Sequence, residues 1–151
     1  MPDYGYSIEV DDSESAKALG KELHISPKDS REICKEIKGM KLDKAQEFLK
    51  AVVNKEKPVS YTRHDKRRAH RKGNMDAGAF PVKSAKAILD VLENVEANAE
   101  YKGLISEKLR IIHASANKGI EYPGFQPRAF GRATASNKPT TNVEIVVKEA
   151  G

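Results

Sequence analysis

The stretch that most constrains this chain lies near its end: Lys118-Gly-Ile-Glu-Tyr-Pro-Gly-Phe-Gln-Pro-Arg-Ala-Phe-Gly-Arg-Ala-Thr-Ala-Ser-Asn-Lys138. It is rich in Gly, Pro, Arg and Ser and has no hydrophobic period. An alternating apolar run precedes it, from Leu109 to Ala116, and another follows it, from Val143 to Val147. Two strand signals around one basic connection predict a long β-hairpin. Strand runs of about 14 residues would reach about 45 Å, more than one small sheet can use. The far half should therefore project as an arm. A connection of this length in a compact domain is either functional or disordered, so what the arm contacts becomes the central question.

Charge narrows the answer. The chain has 151 residues, a net charge of +5 and a pI near 9.2. That sign suits a polyanionic partner, nucleic acid above all. The charge is concentrated rather than spread. From Thr62 to Lys72 there are six basic residues against one acid, and from Lys118 to Lys138 four against one. The first twelve residues hold four acids and no base. Apolar residues make up 38%, enough for one modest core, so the chain is expected to form one domain. Within it we expect a body over 1–117 and 139–151, an arm over 118–138 and a basic loop over 55–79.

The remaining elements follow from local pattern. Tyr4, Tyr6, Ile8 and Val10 alternate with polar residues and predict a short half-buried strand. Asp12-Ser13 offers an N-cap, and Ala16, Leu19 and Leu23 follow at helical spacing. Ser26-Pro27-Lys28-Asp29 is a strong helix start: a capping hydroxyl, a proline suited to the first turn, and an acid near the positive end of the dipole. Ile33, Cys34 and Ile37 form the stripe of that helix, and Gly39 ends it. Leu42, Ala45, Leu49, Val52 and Val53 predict another helix, broken by Pro58. Residues 55–79 have no apolar period and are expected to be irregular. Phe80-Pro81 opens the longest helix, with Val82, Ala85, Leu89, Leu92 and Val95 on one stripe and an end near Gly103. In the hairpin, Leu109, Ile111 and His113 are expected on one face, and Val143, Ile145 and Val147 on another. The fold class is α+β: three to four helices packed on a small antiparallel sheet, with a long protruding β-hairpin near the C-terminus.

Catalytic chemistry lacks a constellation here. There is no phosphate-cradling Gly-rich loop after a strand, no His-x-x-x-His pair on an amphipathic helix and no nucleophile elbow. Cys34 is the lone cysteine, which excludes an internal disulfide and a Cys-x-x-Cys metal site and fits a reducing cytoplasm. It reads as a small buried hydrophobe. The acidic N-terminus is not that of a secretory leader, and no apolar run could span a bilayer. No metal, cofactor, small-molecule substrate or membrane is expected. His64 and His70 flank the basic cluster and invite an acid–base nuclease reading, but a mobile loop holds proton-transfer geometry poorly. His113 reads as a satisfied, half-buried strand residue.

Polyanion binding, by contrast, has two candidate surfaces. Arg63-His64-Asp65-Lys66-Arg67-Arg68-Ala69-His70-Arg71-Lys72 offers guanidinium forks and point charges to phosphates. The arm pairs cations with rings: Tyr122, Phe125, Arg128, Phe130 and Arg132 between Lys118 and Lys138. Exposed rings beside arginine suit stacking on unpaired bases.

Within the arm, Pro127-Arg-Ala-Phe-Gly-Arg-Ala133 resembles the tip motif Pro-Arg-Ala-x-Gly-Arg-Ala of the universal large-subunit ribosomal protein twenty-two family, whose eukaryotic counterpart is numbered seventeen. The Ser26-Pro-Lys-Asp29 helix start, Ile37-Lys-Gly-Met40 and the Ala45-to-Leu49 segment are similar to that family's helical core. The likeness covers roughly Ser7 to Lys148, and Tyr61-Thr-Arg-His-Asp-Lys-Arg-Arg68 resembles the longer archaeal and eukaryotic form. The resemblance implies a body on the surface of the large subunit and a hairpin that crosses large-subunit rRNA to the wall of the nascent-peptide exit tunnel. It implies a role in subunit assembly, with rRNA, neighbouring ribosomal proteins and the nascent peptide as partners, and a cytoplasmic, ribosomal location. Carried over by position, Gln126, Pro127, Arg128, Ala129, Phe130, Gly131, Arg132 and Ala133 form the tunnel tip. Tyr122-Pro-Gly-Phe125 departs from the family's bacterial form in being more aromatic. The readings set against this one are a free RNA-binding regulator and a module that docks its arm on a protein partner.

Overall fold

The computed structural model describes residues 5–11 and 13–150. The strands and helices, in chain order, are β1 (Ser15–Leu23), α1 (Pro27–Ile37), α2 (Leu42–Val53), β2 (Val59–Tyr61), β3 (Ala77–Ala79), α3 (Val82–Tyr101), β4 (Leu109–Tyr122), β5 (Phe125–Arg128), β6 (Arg132–Ala135) and β7 (Lys138–Glu149). An antiparallel sheet in the order β1-β7-β4 carries the three helices against one face, which is the α+β arrangement expected. β7 is its central strand. Val143, Ile145 and Val147 point from it into a core shared with Ile33, Leu49, Ile88, Leu92 and Ile111. None of the helices described is long and apolar enough to cross a membrane.

The helices form where local chemistry directs. The Ser26 hydroxyl accepts the Asp29 amide at the start of α1. Gly39 takes a left-handed φ of 88° just past its end, a conformation that glycine adopts without a Cβ penalty. Gly39 N–H then donates to the Ile111 carbonyl, and Ile111 N–H to the Met40 carbonyl. The α1–α2 connection thus covers the outer edge of β4. Cys34 is buried in α1, and burial pushes its thiol up to about 12, so it packs as a hydrophobe.

Three local expectations need correction. The segment Ser15–Leu23, read as a helix from Ala16, Leu19 and Leu23, is strand β1; Asp12 of its proposed cap lies outside the described residues. Two periods compete there, and the core uses Ala16, Ala18 and Gly20, whose small side chains disguise a period of two. The reason is close approach: a Cβ on Gly20 would sit 2.8 Å from a Val91 methyl of α3. The strand expected over residues 4–10 is not one; Tyr4 lies outside the described residues. Residues 5–11 run without ladder bonds, yet their burial alternates, with Tyr6, Ile8 and Val10 partly covered. The third correction concerns His113. A bulge between Ile111 and His113 shifts the β4 register, so Leu109, Ile111 and Ala114 face the core and His113 turns to the other side. There the Ser7 hydroxyl lies 3.0 Å from His113 Nε2 and donates to Glu144, which also accepts the Ser7 amide. These bonds fasten the N-terminal segment across the outer sheet face. Burial works to raise the Glu144 carboxyl, but the Ser7 bonds and His113 hold it below its ordinary value.

Candidate nucleic-acid interface

The basic loop between β2 and β3 is more ordered than its sequence suggests. β2 and β3 pair antiparallel, and His70 forms a further bridge to Ala77. The loop begins on a buried carboxylate. Glu32 of α1 has 0% exposure and accepts the amides of Arg63 and His64 at 3.0 Å each and that of Thr62 at 3.4 Å. The Thr62 hydroxyl and the Arg31 guanidinium complete its shell. Burial on its own would raise this carboxyl; the three amides and Arg31 outweigh it and hold Glu32 below the ordinary value.

A second brace stands beside it. The Tyr61 hydroxyl donates to Asp29 at 2.8 Å, and Arg68 donates to the same oxygen at 2.8 Å while its guanidinium lies 4.5 Å over the Tyr61 ring. Burial, reinforced by the bond to Asp29, pushes the Tyr61 phenol well above its ordinary value. Arg71 is spent similarly, with its guanidinium 5.0 Å over the Phe80 ring and its Nε donating to the Gly78 carbonyl. Arg63, Lys66, Arg67 and Lys72 are exposed, with no ion pair to any of them among the described residues. The Arg68 amide closes a turn on the Asp65 carbonyl, and Arg67 within it takes φ 63°.

These braces shape a cleft of about 380 Å³ lined by Arg63, His64, Lys66, Arg67 and Arg68 of the loop and Lys28 of the first turn of α1. A second cleft of about 320 Å³ contains Ser26, the cap of the same helix, with His24, Lys83, Lys138 and Pro139 at the root of the arm. The N-terminus of α1 thus stands between the basic loop and the arm, two segments far apart in sequence.

The arm is a paired ribbon rather than a loop. β4 and β7 stay in register out to Tyr122 and Lys138, with a shift between Lys118 and Glu121. β5 and β6 continue the pairing from Phe125 opposite Ala135 to Arg128 opposite Arg132. A single 3-10 turn, Ala129–Gly131, closes the tip. Phe130 holds φ 59° there, a left-handed conformation that costs a non-glycine residue about 1 kcal/mol. Phe130 is 96% exposed and Phe125 77%. Lys118 pairs with Glu121 at 2.6 Å; Arg128, Arg132 and Lys138 are exposed with no ion pair among the described residues. His24 and Tyr122 stack at 6.0 Å where the ribbon leaves the body.

The model of the family described as Ribosomal protein L22p/L17e matches residues 18–148, which takes in the helices, the basic loop and the whole arm. The chain belongs to this family. Among related proteins, the large ribosomal subunit protein uL22 of Methanopyrus kandleri is 52% identical over 150 residues, covering 95% of this chain and 94% of that protein. That of Methanocaldococcus jannaschii is 50% identical over 146 residues, covering 95% and 94%. The one from Methanococcus vannielii is 48% identical over 151 residues, covering 99% of both.

For an L22p/L17e member, the structure sorts the residues singled out by sequence into distinct sets. Arg63, His64, Lys66, Arg67 and Arg68 meet at one cleft, whereas Arg71 and Lys72 do not line it. Gln126 to Ala133 stand together at the end of the ribbon, and Lys118 and Lys138 nearer its root. Sequence reasoning missed Lys28, whose motif signals a helix start and nothing about a cleft, and Glu32, which looks like any charged helix residue until Thr62–His64 fold onto it. Lys83, at the start of α3, gave no signal.

Proposed function

We propose that this chain is a structural constituent of the large ribosomal subunit that binds large-subunit rRNA and supports assembly of the subunit. Family membership across residues 18–148 carries the reading. The proposed labour is divided: residues 1–117 and 139–151 form the body, the basic loop over 55–79 grips rRNA from it, and the arm over 118–138 threads between rRNA segments. The rRNA contacts are Arg63, His64, Lys66, Arg67, Arg68, Arg71, Lys72, Lys118, Arg128, Arg132 and Lys138. The tip, Gln126 to Ala133, lines the nascent-polypeptide exit tunnel, where the nascent peptide passes it. Neighbouring large-subunit proteins are further partners. The role is structural, without catalysis, and is exercised in cytoplasmic ribosomes. The exposed rings of Phe125 and Phe130 support it, because an apolar tip with no core of its own needs a covering surface. The test is sedimentation of cell extract at low salt: the chain is expected with large subunits, and its recovery only among free proteins would overturn the reading.

A further inference from the structure

We infer that the outward stripe of α3 from Asp90 to Tyr101 is a docking surface for a Lys- or Arg-bearing segment of a neighbouring protein. The inference rests on the ribosomal reading above and narrows its protein partners to one surface and one chemistry. Together the two cationic segments carry more positive charge than the chain's net +5, so the remainder is net acidic. That acidity gathers on α3, where four acids and no base lie from Asp90 to Tyr101. Helical spacing sets Asp90, Glu93, Ala97, Glu100 and Tyr101 on one side of the helix, and all five are exposed. The rotation of the helix is fixed from its flank: Asn98 Nδ2 donates to the Lys17 carbonyl and Lys102 Nζ to the Ser15 carbonyl, both on β1.

This charge works against the helix that carries it. Glu96 and Glu100 are like-charged neighbours four positions apart, and Glu93 and Glu96 are three apart. Glu100 stands in the last turn, where the dipole favours a cation and no base is present. No ion pair reaches Asp90, Glu93, Glu96 or Glu100 among the described residues. Gln46 donates to Glu96 at 2.7 Å, a neutral partner that leaves the charge in place. Charge set against local stability and left unpaired marks a surface shaped for something other than the fold. Apolar groups accompany it, since Tyr101 is 94% exposed and Ile105 49%. The end of the helix is closed rather than frayed: Leu104 N–H donates to the Ala99 carbonyl, and Gly103, at φ 78°, donates to that of Glu100.

The chemistry selects the occupant. RNA phosphates would be repelled by the acids. A single metal ion cannot reach carboxylates spread from Asp90 to Glu100, about 15 Å of helix. No group of His, Cys, Asp and Glu suited to a metal occurs among the described residues. A second copy of the chain would have to give up the cationic segments assigned to rRNA. A cationic protein segment fits every part. Its ammonium or guanidinium groups pair with the acids, one of them lies over the Tyr101 ring, and its aliphatic stems cover Ala97. Glu93 and Glu100 stand about 10 Å apart along the axis, so the cations of an extended segment are about three residues apart.

The test places a photo-crosslinking residue singly at Asn94 or Ala97 of the full-length chain and irradiates large subunits assembled in cells. The expected product is another protein, joined through a peptide that carries Lys or Arg at about that spacing. Glu93→Gln/Glu100→Gln in the same chain should lower the yield about fivefold, whereas Glu56→Gln, past the end of α2, should not. The free double variant should unfold at the wild-type temperature or slightly above it, because like-charge repulsion is relieved. A crosslink to rRNA, to a second copy or to a segment without cations would overturn the inference. So would no crosslink, an undiminished yield, an equal loss in Glu56→Gln, or a destabilised double variant. Each of these leaves the ribosomal reading in place; absence of the wild-type chain from large subunits would sink both.

Discussion

The two cationic segments solve the same electrostatic problem in opposite ways. The basic loop is held by the body: its amides rest on Glu32, and Arg68 is clamped between Tyr61 and Asp29. Beyond the His24–Tyr122 stack at its root, the arm is held by its own ladder from Tyr122–Lys138 to Arg128–Arg132, with Phe125 and Phe130 in solvent. A two-stranded ribbon with no third layer is marginal in water, so the arm depends on a partner to stay fixed while the loop does not. Both carry net positive charge, so its sign does not distinguish them. The difference lies in how much of each segment's polar backbone is anchored in the core.

The strongest way to break this contrast uses the strand shared by body and arm. Ile111 of β4 is fully buried, and Ile111→Ala should cost about 4 kcal/mol in denaturant unfolding, a transfer loss plus a cavity. A cost under about 1 kcal/mol would mean that the inner half of the hairpin is no better anchored than the outer.

Next comes Glu32→Gln, which keeps the shape and removes the charge that three amides address; about 2 kcal/mol of stability should go at neutral pH. The sign with pH follows from the depressed carboxyl. As pH falls, the unfolded chain takes up the proton first. The Glu32 contribution is therefore complete above the ordinary carboxylate range and is lost as pH drops through its lower folded value. Stability curves of wild type and variant should converge on acidification; a gap that widens there contradicts the brace.

Arg68→Lys tests the second brace. It keeps the charge but loses the planar stack on Tyr61, and about 1 kcal/mol should be lost, with faster amide exchange over residues 65–68. The smallest effect belongs to the tip. Phe130→Gly removes an exposed ring and relieves a left-handed φ, so unfolding should stay within about 0.5 kcal/mol of wild type. Amides of residues 126–133 should also exchange faster than those of 82–95; equal protection would show that the ribbon is anchored without a partner.

What could be read from the residues tracks how locally each feature is encoded. α1 is legible because Ser26, Pro27 and Gly39 act on their own neighbours, and α3 because Ala85, Leu92 and Val95 of its expected stripe are buried, although Val82 and Leu89 are only partly so. The hairpin is legible because both strands carry β-branched runs beside Gly and Pro. β1 was not, because Gly20 is selected by the approach of Val91, distant in sequence, and not by strand propensity. The face of His113 was not, because one bulge at Ile112 reverses the side chains that follow it, as far as the next register shift after Lys118. At the candidate site the cations were visible as a count. The carboxylate that organises them, and Lys28 across the cleft, became visible only when α1 and the loop met.

On the proposed function, both cationic segments work on rRNA, the loop from the body and the arm from its tip. The most direct measurement is a photo-crosslink map of assembled large subunits, with probes placed singly over 63–72 and 126–132. rRNA crosslinks are expected from both sets, at different sites in the rRNA. Crosslinks from both sets to proteins alone, or solvent accessibility of both in the assembled subunit, would contradict it.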